Sequence, residues 1–311
     1  MSVENLIIIG SGAAGWTAAI YAARAGLKPL VVTGEQLGGQ MTIAGSVENF
    51  PGFPDAVEGP ALMEAMAKQA MAYGTRVEND VILGVDFSER PFLLRGDLQD
   101  YQARAVIIAT GATARWLGVE GEETYRGRGV SACATCDGYF YRGQKVAVVG
   151  GGNTAVEEAL YLSSICAEVH LVHRGNRLTA ERILQERLRT RRNVIYHWNS
   201  EVKQVVGGVG DMDPMTYVVT ENIENGVKQK LGVQGLFIAI GHEPMTEPFH
   251  GQVDLDKSGY IAVQPGTVRT NIPGVYAAGD VADPHYRQAV TASAMGCMAA
   301  LDVEKWLTSS E

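Results

Sequence analysis

Apolar residues along this chain come in short unbroken runs, and several of the runs stop at glycine. Leu6-Ile7-Ile8-Ile9 ends at Gly10; Ser11, Gly12, Ala13, Ala14 and Gly15 follow, then the alanine-rich stretch 16–25. A run that is apolar at every position reads as a strand buried on both faces. The small residues after it read as a tight turn into a helix. Gly26 closes that helix, and Leu30-Val31-Val32 is the next strand. The same pattern returns 140 positions later. Val146-Ala147-Val148-Val149 ends at Gly150, then come Gly151, Gly152, Asn153, Thr154 and Ala155, a helix over 156–163 and the strand Val169-His170-Leu171-Val172. Gly10 and Gly12 fall in register on Gly150 and Gly152.

A second pair of echoes supports a duplication. Val106-Ile107-Ile108-Ala109-Thr110-Gly111 matches Leu236-Phe237-Ile238-Ala239-Ile240-Gly241 at an offset of 130. Each predicts a buried strand that returns to its sheet and ends at a glycine near a ligand. Between these strands, 73–100 and 193–230 alternate and turn often, as antiparallel excursions do. The second unit runs from about Arg115 to Gly241, and the stretch 252–311 completes the first, so the units are nested. The crossings lie near Thr113-Ala114 and His242-Glu243-Pro244, two short segments suited to a hinge. The expected fold is α/β, with two nested Rossmann-like dinucleotide-binding domains. Residues 1–113 and 245–311 form one, and 114–244 form the other, inserted in the first.

The glycine spacing has a physical reason. The first glycine turns the chain out of the strand, the second lets the backbone approach a pyrophosphate, and the third small residue, Gly15 or Ala155, lets helix and strand pack closely. The helix N-terminus then presents free N–H groups to the phosphates. One such motif is weak evidence; two, each within a complete strand–turn–helix–strand, are strong.

Composition narrows the function. A length of 311 residues allows two domains of about 150 each. A hydrophobic share of 46% and a charged share of 20% exclude a mainly disordered chain. Net charge is −9, which disfavours nucleic acid as a partner. No apolar run is long enough to span a membrane, and Met1 to Asn5 lacks the basic-then-apolar start of a secretory leader. Four cysteines in a chain this long are no disulfide scaffold, and a cytoplasmic setting is expected.

Cys133-Ala134-Thr135-Cys136 is the one C-x-x-C, directly before Asp137. Two thiols at this spacing close a small disulfide, and one attacks while the other resolves. A zinc site needs a second ligand pair, which the sequence lacks, so no metal is expected. Asp137, beside the thiols, is a candidate proton carrier, with a turn cap as the plain alternative. Cys166 and Cys297 read as core thiols. Near the C-terminus, Thr270 to Asp280 is a strand ending in Gly279-Asp280. Asp280 suits the ribityl hydroxyls of a flavin, and Arg287-Gln288-Ala289 open a long helix whose N-terminus suits a reduced flavin.

Together, Gly10-Ser11-Gly12-Ala13-Ala14-Gly15, Gly38-Gly39-Gln40, Val47-Glu48-Asn49, Ala109-Thr110-Gly111, Cys133 to Asp137, Gly150 to Ala155, and Gly279-Asp280 with Tyr286-Arg287-Gln288-Ala289 resemble the low-molecular-weight, bacterial-type thioredoxin reductases. The resemblance covers nearly the whole chain, in order. It implies a homodimeric flavoprotein that passes electrons from NADPH through FAD to the cysteine pair and on to thioredoxin. It also implies that Gln40 and Asn49 approach the FAD, together with Thr33 and Gly39. Asn153, Thr154, His173, Arg174, Ile240 and Gly241 then serve the nicotinamide nucleotide. Asp137 is the implied proton donor, Cys136 faces the flavin, and Cys133 attacks the partner.

One stretch departs from the family. Where relatives show His-Arg-Arg-x-x-x-Arg for the 2′-phosphate of NADPH, this chain has His173-Arg174-Gly175-Asn176-Arg177-Leu178-Thr179. NADPH is expected to keep its preference by a smaller margin, with NADH as a usable alternative. Two rivals stand beside the reductase: a flavin-dependent dithiol oxidase, which needs no second fingerprint, and a non-catalytic nucleotide-bound redox sensor, which binds without turnover.

Overall fold

The computed structural model of the chain describes residues 2–43, 46–208, 210 and 212–309. In chain order the first elements are β1 (Val3–Ile9), α1 (Ala13–Arg24), β2 (Leu30–Val32), β3 (Ser46–Val47), β4 (Val57–Glu58), α2 (Gly59–Ala72), β5 (Arg76–Glu78), β6 (Ile82–Asp86), β7 (Phe92–Gly96), β8 (Asp100–Ile108) and β9 (Ala112–Ala114). Next come β10 (Val130–Ser131), α3 (Ala134–Asp137), β11 (Lys145–Val149), α4 (Asn153–Ile165), β12 (Glu168–Val172), α5 (Arg182–Arg189), β13 (Val194–His197), β14 (Ser200–Gly207), β15 (Met215–Asn222), β16 (Lys228–Leu231), β17 (Gly235–Ile238) and β18 (His242–Pro244). Last come β19 (Val275–Ala277) and α6 (Ala289–Ser309). The chain divides into two compact units, Met1–Thr113 with Glu243–Glu311, and Ala114–His242.

In the first unit the sheet runs β5-β2-β1-β8-β7-β6, with β19 also paired to β8. The long β8 serves two partners: Ala103 pairs antiparallel with Phe92 of β7, and Val106 pairs parallel with Val275 of β19. The unbroken apolar run of β1 has its cause in this arrangement, because both faces of the strand are covered. Leu6 and Ile8 join a core with Trp16, Ala18, Leu62 and Val303 from α1, α2 and α6. Ile7 and Ile9 join a separate core with Phe92, Leu94 and Phe249 on the other face.

The second unit repeats the plan with a parallel sheet, β10-β17-β11-β12-β13. Val146 and Val148 pack with Val156, Ala159 and Leu162 of α4. Ala147 and Val149 pack with Val202, Val205 and Val218 of the antiparallel layer β14-β15-β16.

Three expectations need correction. The excursions over 73–100 and 193–230 are not antiparallel throughout. Each begins with a strand that extends the parallel sheet, β5 beside β2 and β13 beside β12. β5 is Arg76-Val77-Glu78, with one apolar residue, and β13 is buried only at Val194, so neither shows the pattern of a strand covered on both faces. The helices after the glycine turns start three residues earlier than the pattern suggests, at Ala13 and Asn153, because Gly12 and Gly152 are themselves the N-caps. Finally, Cys166 is buried, but Cys297 is only half-buried on α6.

Candidate active site

The two glycine turns are built alike, bond for bond. Gly10 N–H donates to the Val32 carbonyl (2.8 Å) as Gly150 N–H does to Val172 (3.1 Å). Ala109 N–H donates to Ile9 O, and Ala239 N–H to Val149 O, both at 2.8 Å. Gly10 and Gly150 have φ of +108° and +148°. A Cβ on Gly10 would stand 2.3 Å from the Ala109 carbonyl oxygen, and one on Gly150 would stand 2.4 Å from that of Ala239. The return strands therefore press on the first glycine of each turn, which excludes any side chain there.

At the second glycine the reverse holds. A Cβ on Gly12 or Gly152 meets nothing within 4 Å. Each is a helix N-cap with no side-chain cap, and neither helix has an acid in its first turn. An open face at a helix N-terminus with no acid in the helix's own first turn fits a pyrophosphate. Both units thus suit a dinucleotide.

In the first unit, the expected residues gather around this loop. The buried Ser11 hydroxyl donates to the Thr33 carbonyl (2.9 Å) and accepts from Gly38 N–H (2.9 Å). Gly39 closes over Gly12, where a Cβ would stand 3.4 Å from the Gly12 Cα. Gly279 packs on α1, its would-be Cβ 3.0 Å from the Ala14 Cβ, and the Ser293 hydroxyl lies 3.5 Å from the Ala13 carbonyl. Asn49 Nδ2 donates to Gln288 Oε1 at 3.4 Å, which joins two segments far apart in sequence. The Thr110 hydroxyl donates to the Met245 carbonyl (2.8 Å), next to Gly111 at φ +77°. Gln40 is exposed and Ala289 half-buried at the start of α6. Arg287, at φ +49°, donates through Nη1 to the Pro284 carbonyl. Asp280 is set apart electrostatically. Burial pushes its carboxyl up to about 6; Asp283 adds to the rise and Arg287 opposes it.

In the second unit, the loop after β12 is pinned to the glycine turn. Thr179 N–H (2.8 Å) and hydroxyl (3.1 Å) both donate to the Gly151 carbonyl, as does Ala180 N–H. The His173 ring lies on Gly151, where a Cβ would stand 2.2 Å from its Cε1, and Nε2 is 3.0 Å from the Arg177 carbonyl oxygen. A Cβ on Gly175 would come within 2.9 Å of the same ring. Burial, helped by Arg174, holds His173 below the usual imidazole range. Asn153 and Glu181 are joined by two hydrogen bonds, 2.8 and 3.2 Å. Arg174 is exposed, Thr154 and Gly241 are half-buried, and Ile240 is exposed.

The Cys133–Cys136 disulfide is closed, with Cα atoms 5.3 Å apart. Cys133 is the N-cap of α3, and its sulfur accepts the Cys136 N–H at 3.2 Å with the Thr135 hydroxyl at 3.4 Å. These donors favour a thiolate on Cys133 once the bond opens. Cys136 is exposed and Cys133 half-buried. Burial raises the Asp137 carboxyl above its ordinary range, opposed by a hydrogen bond with Ser131. A carboxyl raised in this direction is better suited to hand a proton to a thiolate. Tyr139 and Phe140, just past the pair, are 55% and 43% exposed. Arg126 and Arg128 lie over the rings of Trp116 and Tyr125.

The family model described as pyridine nucleotide-disulphide oxidoreductase matches residues 4–296. Thioredoxin reductase of Vibrio cholerae is 53% identical, over 98% of this chain and 97% of its own. That of Escherichia coli O157:H7 is also 53% identical, over 98% and 96%. The chain belongs to the thioredoxin reductase family. Thioredoxin reductase from Giardia duodenalis, a solved structure, matches with a TM-score of 0.93 at 40% identity, covering 99% of this chain and 100% of that one. As a member, the chain is an FAD-dependent disulfide oxidoreductase whose redox-active pair is Cys133–Cys136.

Two residues near the disulfide were not singled out in the sequence. Ser131 caps the turn before the pair, its hydroxyl accepting Cys133 N–H at 3.0 Å. Glu158 of α4 accepts Ala134 N–H at 3.3 Å and ties the disulfide segment to the helix behind the nucleotide turn. A serine two residues before the first cysteine was a readable signal; nothing in the spacing announces Glu158. Among the described residues no cluster of three or more side chains suits a metal, and no helix is long and apolar enough to cross a membrane.

Proposed function

We propose that the enzyme works with NADPH, FAD and thioredoxin, as a cytoplasmic homodimer. The first unit holds FAD through Gly10–Gly15, Thr33, Gly39, Gln40, Asn49, Ala109–Gly111, Gly279-Asp280 and Arg287–Ala289. The second holds the nicotinamide nucleotide through Gly150, Gly152, Asn153, Thr154, His173, Arg174, Ile240 and Gly241. FAD held by these residues would supply two-electron transfer between the nicotinamide nucleotide and the disulfide.

The protein's own residues then carry the exchange. The S–S bond opens to two thiols, taking up two electrons and two protons, and Asp137 holds a proton at its carboxyl beside the sulfurs. Cys133, whose sulfur has hydrogen-bond donors around it, attacks the partner's disulfide. Cys136 displaces the mixed disulfide, the partner leaves as a dithiol, and the bond between Cys133 and Cys136 is restored. The exposed rings of Tyr139 and Phe140 offer a protein partner an apolar footing beside the pair.

The observation that carries this reading is the closed Cys133–Cys136 disulfide directly before Asp137, whose carboxyl is raised above its ordinary range by burial. The open second fingerprint at Gly152 supports it over an oxidase, which needs no nicotinamide. Stopped-flow mixing with NADPH tests it: rapid flavin bleaching, followed by turnover with thioredoxin, is expected. An oxidase would bleach with a dithiol and not with NADPH, and a sensor would bind without turnover. Arg174→Ala is expected to raise KM for NADPH and leave that for NADH nearly unchanged. Wild-type kcat/KM equal or better with NADH overturns the NADPH assignment.

A further inference from the structure

The second unit holds a cluster of titratable side chains with no part in the disulfide exchange. Glu168 and His170 stand on β12, His197 on β13 and Lys145 on β11, and the strand register puts all four on one face of the sheet. That face lies toward β14-β15-β16, since Ala147 and Val172 pack there with Val202 and Val218. His170 Nδ1 is 2.8 Å from His197 Nε2, and His170 Nε2 is 2.8 Å from Glu168 Oε1. Lys145 Nζ completes the row, 3.2 Å from the same carboxylate oxygen. The imidazole rings are 5.1 Å apart with planes at 29°. His170 is buried and His197 half-buried.

A contact between two ring nitrogens needs one hydrogen, no fewer and no more. Lys145 first, and His170 after it, hold the Glu168 carboxyl below its ordinary range against the effect of burial, so it stays ionised and His170 Nε2 donates to it. In the neutral pair, His170 Nδ1 accepts from His197 Nε2–H. With one added proton, His170 donates from both nitrogens and His197 Nε2 accepts. A second proton puts an N–H on each side of the contact and two cations within one hydrogen-bond length, and the bond is lost. Burial, and then the His170 ring, hold His197 below the usual imidazole range, in keeping with a disfavoured second proton. On the layer over this face, Glu201 pairs with Lys203 and Glu221 with Lys228, and the residues packed toward the sheet, Val202, Val205 and Val218, are apolar.

β13 is the edge strand of its sheet, and its end seats the loop that carries His173 and Arg174. The His197 carbonyl accepts His173 N–H at 3.0 Å, Asn199 N–H donates to the Gly175 carbonyl at 3.1 Å, and Ser200 N–H donates to the His173 carbonyl at 3.0 Å. His197 thus holds the loop through its backbone and β12 through its ring. We propose that the His170–His197 pair is an acid-operated clasp: it fastens the end of β13 with no added proton or one, opens on the second, and so weakens nicotinamide nucleotide binding at the loop as pH falls. The inference rests on the proposed nucleotide role of His173 and Arg174 and adds how that site is regulated. A nucleotide that binds the closed form opposes the second proton, and the second proton opposes the nucleotide by the same factor.

The test is calorimetric binding of NADP⁺ to the FAD-loaded protein at about pH 8 and about pH 5, on either side of the imidazole range, in wild type and His197→Gln. Glutamine can donate to His170 Nδ1 or accept from it, and it never charges. The 2′-phosphate of the probe titrates in the same range, so the readout is the ratio of variant to wild-type affinity at each pH. The ratio is expected to lie within about twofold of one at pH 8 and to rise to about three- to tenfold in favour of the variant at pH 5. A ratio that is the same at both pH values overturns the regulation. Titration of the ring nitrogens by ¹⁵N NMR needs no variant. Two of the six histidines should titrate as a coupled pair, with a second step below the imidazole range that moves lower still when NADP⁺ is bound. Independent titration of the two rings overturns the clasp. If wild type fails to bind NADP⁺ at pH 8, the nucleotide role falls and takes the regulation with it; normal binding at pH 8 with a constant ratio strikes the regulation alone.

Discussion

At the residue scale, single atoms decide what each position tolerates. Both cysteines of the pair lie outside the residues that surround Gly12. Cys133→Ser or Cys136→Ser is therefore expected to reduce thioredoxin turnover to background while FAD stays bound and is still bleached by NADPH. Turnover at the wild-type rate in either variant would remove the disulfide from the mechanism. Asp280 gives a prediction with a sign. Its folded-state carboxyl titrates at about 6 against an ordinary 3.8, chiefly through burial. The raised value means the charged form is disfavoured on folding. Stability from this group is fully present below about pH 4 and is lost as pH rises through about 6. In FAD-free protein, Asp280→Asn should thus stabilise by about 3 kcal/mol at pH 7.5 and by almost nothing at pH 4. Urea unfolding at the two pH values checks this. The same substitution should weaken FAD binding, since it removes the acceptor proposed for the ribityl chain.

At the scale of elements, the packing of α1 against α6 holds the proposed flavin turn in place. Gly296 lets the two backbones approach: a Cβ there would stand 2.1 Å from the Ala14 carbonyl oxygen. The obstacle is helix backbone, which cannot rotate away as a side chain can. Gly296→Ala is expected to cost about 1–3 kcal/mol and to loosen FAD, because Ala14 lies within the fingerprint. Thermal unfolding followed by flavin fluorescence should show a lower Tm and earlier flavin release. An unchanged Tm would mean that α6 shifts without strain. The disulfide segment has its own backing: Gly138 abuts Leu162 and Tyr161 of α4, and Glu158 holds Ala134. One helix thus carries the nucleotide turn at its start and the redox pair along its side.

At the scale of the whole molecule, the chain passes between its units only at Thr113/Ala114 and His242/Glu243. The disulfide and the second fingerprint belong to the same unit, while the proposed flavin site belongs to the other. Both must reach one flavin ring in turn, so the inserted unit is expected to rotate about the two crossings during turnover. A covalent cross-link between the units should block steady-state turnover with thioredoxin. Full activity in the cross-linked protein would show that no rotation is needed.

Much of this was legible in the sequence because it is local. Gly10 and Gly150 had to be glycine, since the strand-to-helix turn needs a positive φ and the return strand presses from behind. The C-x-x-C pair forms its disulfide within a single turn, so its spacing sufficed. The unbroken runs at 6–9 and 146–149 reported strands covered on both faces. Tertiary structure decided what depends on distant partners. The edge strands β5 and β13 are parallel because the sheet beside them is, not because of their own residues. The raised carboxyls of Asp137 and Asp280 come from burial, which no local pattern encodes.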